Sequence, residues 1–211
     1  MGKMFSAARS AGTRMMSTTA AAATGGAGGA GGAAVAPDAY PKAMKLLHWG
    51  VAATATTCVG TIMVRRYVID KDSPKHGFLM RVHKTAGLLT IAMMGPRVAV
   101  RLSSVLPRAM PGTSAVVHQA GEYMHKALYV ILGTLSVSGL GMALFSGKPL
   151  AFFGWDIKTL DAKPAIAGNS FKLHKRAGQV LEYTLPLHIG GAFFHALRGE
   201  AIFARINPFL K

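Results

Sequence analysis

The chain has 211 residues, enough for one domain with appendages. Apolar residues make up 51% of it and charged residues only 15%, against about 25% charged in an ordinary soluble domain, which argues against a soluble globular protein. The net charge is +16, from 24 Lys/Arg against 8 Asp/Glu. Because the basic residues mostly flank the apolar runs, their partners are expected to be anionic lipid headgroups and not nucleic acid.

In chain order, residues 1–36 come first and contain no acid; the first is Asp38. Lys3, Arg9 and Arg14 are spread among Ser, Thr, Ala and Met, the composition of an organellar transit peptide. Residues 20–36 are almost pure Ala and Gly, a linker with nothing to bury. The start Met-Gly-Lys-Met-Phe-Ser also fits a myristoylation pattern, but the acid-free, arginine-bearing context favours import. The expected organisation is a leader and linker over 1–36 and a membrane domain over 37–211. The expected location is the mitochondrial inner membrane, crossed several times.

Four apolar spans follow, at about Leu46–Val64, Val82–Val100, Ala127–Phe145 and Ala177–Leu197. Each is near the roughly 20 residues a membrane helix needs. The second carries Lys84 and Arg97, and the fourth Glu182 and Pro186. Their polar faces are therefore expected to turn inward. Gly133, Gly139 and Gly141 suit close approach of backbones or a cofactor within lipid. The expected fold is all-α, a transmembrane up-down four-helix bundle. Between spans three and four, Phe152, Phe153 and Trp155 suggest a segment in the membrane interface.

The spans carry histidines in a telling arrangement. His48, His83, His174 and His188 each have a small residue one turn later: Ala52, Gly87, Gly178 and Ala192. Positions i and i+4 share a helix face, so each histidine has a gap beside it where a flat porphyrin could lie. Up-down topology brings His83 and His174 to the same level. His188 lies fourteen residues beyond His174, about 21 Å along the axis and about 40° off its face. It can meet His48 toward the opposite side. His195, seven residues further on, competes with His188 for this role, and naive depth counting slightly favours it. Helix tilt of about 20° blurs such counting by several ångströms, and spacing alone leaves His188 only modestly ahead.

Cys58 is the single cysteine and there is no C-x-x-C-H run, so any haem is held by axial ligands and packing, as haem b is. Arg97 and Arg101 at one end of the bundle, and Lys175 and Arg176 beside His174, are candidate partners for haem propionates. Snorkelling to lipid phosphate is the plainer alternative for each. His125 is a candidate for a propionate or quinone contact, with an interfacial histidine as the plainer alternative, and His195 for supporting a ligand or contacting quinone, with simple packing as the alternative. Glu182 needs a donor inside lipid; a neighbouring Ser, Thr or Tyr is the simplest one.

The sequence resembles the prokaryotic-type cytochrome b561 family, which includes the cytochrome b subunits of nickel–iron hydrogenases. The resemblance rests on Lys45-Leu-Leu-His-Trp49, Arg81-Val-His-Lys-Thr-Ala-Gly87 and Arg97 with Arg101-Leu102. It continues through Gly147-Lys-Pro-Leu-Ala-Phe-Phe-Gly154 to Leu173-His174, His188 and His195, and covers roughly residues 40–205. It implies four helices enclosing two bis-histidine haems b, with His174 and His188 giving one ligand to each haem. It also implies electron exchange with the quinone pool. The chain departs from the pattern in its leader, in Glu182 and in Glu122.

The expected function is therefore a membrane di-haem cytochrome b moving electrons within the bilayer, to or from quinone. The alternative is an accessory, mainly structural subunit of a mitochondrial respiratory complex. A transporter is disfavoured, because related halves with broken helices are missing from the pattern.

Overall fold

Pro41, with extended backbone (φ −55°, ψ 147°), leads into the first helix, α1 (Lys42–Tyr67). The coordinates are a computed structural model describing residues 39–109 and 112–210. The expected leader and linker lie outside the described residues. Along α1, Thr54, Thr57 and Thr61 turn their hydroxyls back onto carbonyls three or four residues earlier, which hides these polar groups within the helix itself.

The second helix, α2 (Lys75–Ser103), contains Pro96. The third, α3 (Ala115–Leu144), is capped by Ser114, which accepts from the Val117 N–H at 3.4 Å. The fourth, α4 (Pro164–Leu197), has proline at its first position and Pro186 inside. A proline at N1 forfeits no helical hydrogen bond, whereas one inside does. A short α5 (Ile202–Ile206) follows. By length and hydropathy α1 and α3 qualify as membrane spans; α2 and α4 are as long but carry more charge.

Cross-helix contacts fix the register. His83, Thr90 and Arg97 of α2 meet Cys58, Thr54 and His48 of α1 in turn, so the two run antiparallel. Leu135, Gly139 and Gly141 of α3 meet Gly178, His174 and Ser170 of α4, again antiparallel. The molecule is thus two helical hairpins. Each packs along its length within itself, while α1 touches α4, and α2 touches α3, at few points. The seam between the hairpins is where the histidines lie.

One departure from the all-α expectation lies between α3 and α4. Leu150–Phe152 (β1) pairs antiparallel with Trp155–Ile157 (β2). Its two-residue turn, Phe153–Gly154, has positive φ at both positions (46° and 91°), the geometry of a hairpin turn whose twist matches that of the strands. The segment read as interfacial aromatics is a small hairpin docked on α2: Leu150 and Ala151 are buried, and the Phe153 N–H donates to Thr85 Oγ1 at 3.2 Å.

The exterior is apolar. Val130, Val137, Tyr183 and Leu187 are each at least 65% exposed, and among the described residues no large side chain is fully buried. Such a surface suits lipid and would be a liability in water. Residues 198–210 fold back over the start of α1. There the Lys45 ammonium donates to the Leu210 carbonyl, and the Trp49 indole to the Ile206 carbonyl, each at 2.9 Å.

Candidate haem-binding site

The seam holds two pairs of imidazoles. His83 of α2 faces His174 of α4 with ring centroids 6.2 Å apart. His48 of α1 faces His188 of α4 at 6.3 Å. Of the two histidines that competed for the place opposite His48, it is His188 that lies beside it. His195 instead bonds Glu200 through Nδ1 at 2.7 Å, and Glu200 also accepts from Thr113 at 3.2 Å.

The His83 pair is oriented alike on both sides. His83 Nδ1 lies 3.1 Å from the Cys58 carbonyl and 3.4 Å from Thr61 Oγ1. His174 Nδ1 lies 3.1 Å from the Leu135 carbonyl and 3.2 Å from Ser138 Oγ. A carbonyl only accepts, so each Nδ1 carries the proton and each Nε2 is left as a free lone pair. This is how metal-binding histidines are commonly oriented. Small residues open the space beside them. A Cβ at Gly87 would meet nothing within 4 Å, and one at Gly178 only Leu135, at 4.0 Å. Gly139 lets the α3 backbone approach the His174 ring, since a Cβ there would stand 3.0 Å from it.

The His48 pair borders a cavity of about 510 Å³, lined by Ala52, Leu181 and Leu185 among apolar neighbours. Arg97 enters it and donates through Nη2 to His48 Nδ1 at 3.1 Å and through Nε to the Tyr129 hydroxyl at 3.3 Å. Its Nη1 is buried with no hydrogen-bond partner, and among the described residues no carboxylate forms an ion pair with it. His125 joins the same cavity, its ring 5.1 Å from that of His188 and its Nδ1 donating to the Gly121 carbonyl at 2.8 Å. Tyr129, one turn beyond His125, was not singled out from the sequence; its signal was the shared helix face.

The remaining candidates are placed as follows. Arg101 is half-buried one turn beyond Arg97, and Ala192 is half-buried one turn beyond His188. Lys175 and Arg176 are exposed beside His174. Glu182 departs from expectation: its donor is not a neighbouring hydroxyl but Arg66 at the far end of α1, 3.0 Å away.

Residues 39–208 match the family described as prokaryotic cytochrome b561. The chain belongs to that family. It is 22% identical over 162 residues to cytochrome b561 homolog 1 of Escherichia coli (strain K12), a match covering 74% of this chain and 89% of the relative. It is 34% identical over 74 residues to cytochrome b561 homolog 2 of the same organism, covering 35% of this chain and 39% of the relative. Cytochromes b561 are membrane electron-transfer proteins that bind haem b, and the apolar exterior and the paired imidazoles fit that membership.

Proposed function

We propose that this cytochrome b561 carries two haems b, held by His83 with His174 and by His48 with His188, and exchanges electrons with quinone inside the bilayer. The observation that carries the reading is the spacing of the two imidazole pairs. Two imidazoles bonding one metal from opposite sides, at about 2.0–2.1 Å per nitrogen, place their ring centroids roughly 6–6.5 Å apart. The pairs stand at 6.2 and 6.3 Å.

The surrounding residues fit haem in a second way. Arg97 is a half-buried cation whose buried Nη1 has no hydrogen-bond partner, and such a group calls for an anion. A propionate would satisfy it bidentately. Drawing Arg97 onto a propionate would also release His48 Nδ1, now occupied as an acceptor from the guanidinium, so that Nδ1 can take the proton and Nε2 the metal. Tyr129 then steadies the guanidinium from its other edge.

Held by these histidines, haem b would supply a one-electron couple. The chain does the rest. Cys58 and Leu135 carbonyls fix the tautomers of His83 and His174. Gly87 and Gly178 leave room beside the ligands. Leu128, Leu132, Leu181 and Leu185 dry the cavity next to His188. In this reading α2 and α4 cross the membrane with α1 and α3, turning Lys84, Arg97 and their ligands toward the seam. The leader over residues 1–36 directs the chain to the mitochondrial inner membrane.

A pyridine haemochrome assay with a reduced-minus-oxidised spectrum of the purified protein tests the central point. The expected result is two b haems per chain, with the absorption of six-coordinate bis-imidazole iron. One haem per chain, or a high-spin spectrum, overturns it.

A further inference from the structure

A second opening lies on the flank of the molecule, between α1 and α4, with about 800 Å³ of space. Its walls are apolar: Val59, Gly60 and Met63 from α1, and Leu185, Pro186, Ile189 and Gly190 from α4. A Cβ added at Gly60 or Gly190 would meet nothing within 4 Å, so both glycines leave the groove wide. Leu185 lines this groove and the His48–His188 cavity alike, so one side chain borders both.

Polar groups converge at one place in this apolar wall. Glu182 lines the groove, and Arg66 Nη1 holds its carboxylate at 3.0 Å. Pro186, four residues on, has no N–H, so it cannot donate the helical hydrogen bond that the Glu182 carbonyl would otherwise receive. A guanidinium, a carboxylate and a carbonyl short of its donor thus meet on a face that opens sideways. An ionisable pair in such a position is expensive in lipid and marks a functional site. Its depth is also telling. Glu182 lies eight residues past His174 and six before His188, about 12 Å and about 9 Å along the axis, between the two imidazole pairs.

We propose that this groove seats the head of an isoprenoid quinone and its quinol, with Arg66 donating to a ring oxygen and Glu182 accepting from a quinol hydroxyl. The proposal rests on the quinone reading above and gives it a place. The flat ring fits between Gly60 and Gly190, and the tail leaves through the open side into lipid. An acyl chain would need neither the donor nor the acceptor. A helix from a second copy would have to bury the carboxylate against an apolar face.

The test uses the haem-loaded protein in phospholipid nanodiscs, reduced with dithionite under anaerobic conditions. Reoxidation by decyl-benzoquinone is followed by stopped flow, with ferricyanide as an oxidant that needs no groove. The wild type is expected to reoxidise with both. Glu182→Gln, Arg66→Gln and Gly190→Leu are expected to raise the half-saturating quinone concentration at least tenfold, with haem content and ferricyanide rates unchanged. If Glu182→Gln or Arg66→Gln loses haem, Gly190→Leu and Gly60→Leu decide, because they alter only the open space. Quinone kinetics unchanged in the groove-filling variants overturn this placement and leave the quinone reading standing. A wild type that ferricyanide oxidises and no quinone does overturns both. A co-purifying phospholipid that quinone fails to displace, seen by native mass spectrometry, also overturns the placement.

Discussion

Replacing Gly139 with alanine should loosen one haem, although glycine to alanine ordinarily favours a helix. The added Cβ would stand 3.0 Å from His174 Cε1 and 3.2 Å from Nδ1, where ordinary contact begins at 3.4 Å. The ring must therefore retreat by several tenths of an ångström. It is not free to do so, because Nδ1 is fixed by the Leu135 carbonyl and Ser138. Metal–ligand distances tolerate about ±0.2 Å. Disturbing the groups that orient a ligating histidine typically lowers affinity about 10–100-fold, or roughly 1.4–2.8 kcal/mol. Gly133→Ala is the matched control: same helix, same substitution, and nothing within 4 Å of the new methyl. It should stabilise the helix by about 0.5–1 kcal/mol and leave haem untouched. Haem transfer to apomyoglobin reads the dissociation rate of each variant. Equal rates in Gly139→Ala, Gly133→Ala and wild type would show that His174 does not grip a metal from its present position.

Other consequences can be measured separately. His174→Ala and His188→Ala should each halve the haem-to-protein ratio while His195→Ala keeps both haems; loss of a haem in His195→Ala with none lost in His188→Ala would reverse the assignment. Arg97→Gln should lower the midpoint potential of the haem beside His48 by several tens of millivolts, since removing a nearby cation favours the ferric state; a redox titration with an unchanged midpoint would place Arg97 on something other than that haem. Thr90→Val deletes the 2.8 Å hydrogen bond from Thr90 to Thr54 and should destabilise the α1–α2 hairpin by about 0.6 kcal/mol, read by steric trapping in bicelles. Hydrogen bonding from His195 holds the Glu200 carboxyl below the ordinary carboxylate value. A depressed pKa means that the contact contributes at neutral pH and is lost as pH falls below the ordinary carboxylate range. Hydrogen exchange over residues 198–210 should quicken there in wild type but not in Glu200→Gln.

Much of the arrangement was legible because it rests on local rules. Histidine followed by a small residue one turn later is a property of a single helix face, and antiparallel neighbours then decide which faces meet. His83 with His174 follows from those two facts, the family resemblance adds His48 with His188, and these are the pairs brought ring to ring. The choice between His188 and His195 was not legible from depth, because one helical turn of tilt moves either to the right level. Side chains that reach far were also hidden. Glu182 found Arg66, 116 residues away, because a long guanidinium stem can climb from the end of one helix to the middle of another. The β1–β2 hairpin was missed for a different reason. To a hydropathy scale Phe152, Phe153 and Trp155 mark an apolar segment but not its backbone, and only the paired positive φ values of Phe153 and Gly154 reveal the turn. His125 was noticed, but its place beside His188 depends on how α3 packs against α4, which no single span reveals.

The fold-back of residues 198–210 sets an order of biogenesis. Lys45 is almost completely buried, at 3% exposure, yet its ammonium is answered by a carbonyl 165 residues downstream, and the Trp49 indole by one 157 residues downstream. The two contacts that hold the start of α1, on either side of His48, can therefore form only after the residues that follow α4 have been made. A chain stopped before Ile206 would insert normally and exchange its haem far faster than the full-length protein.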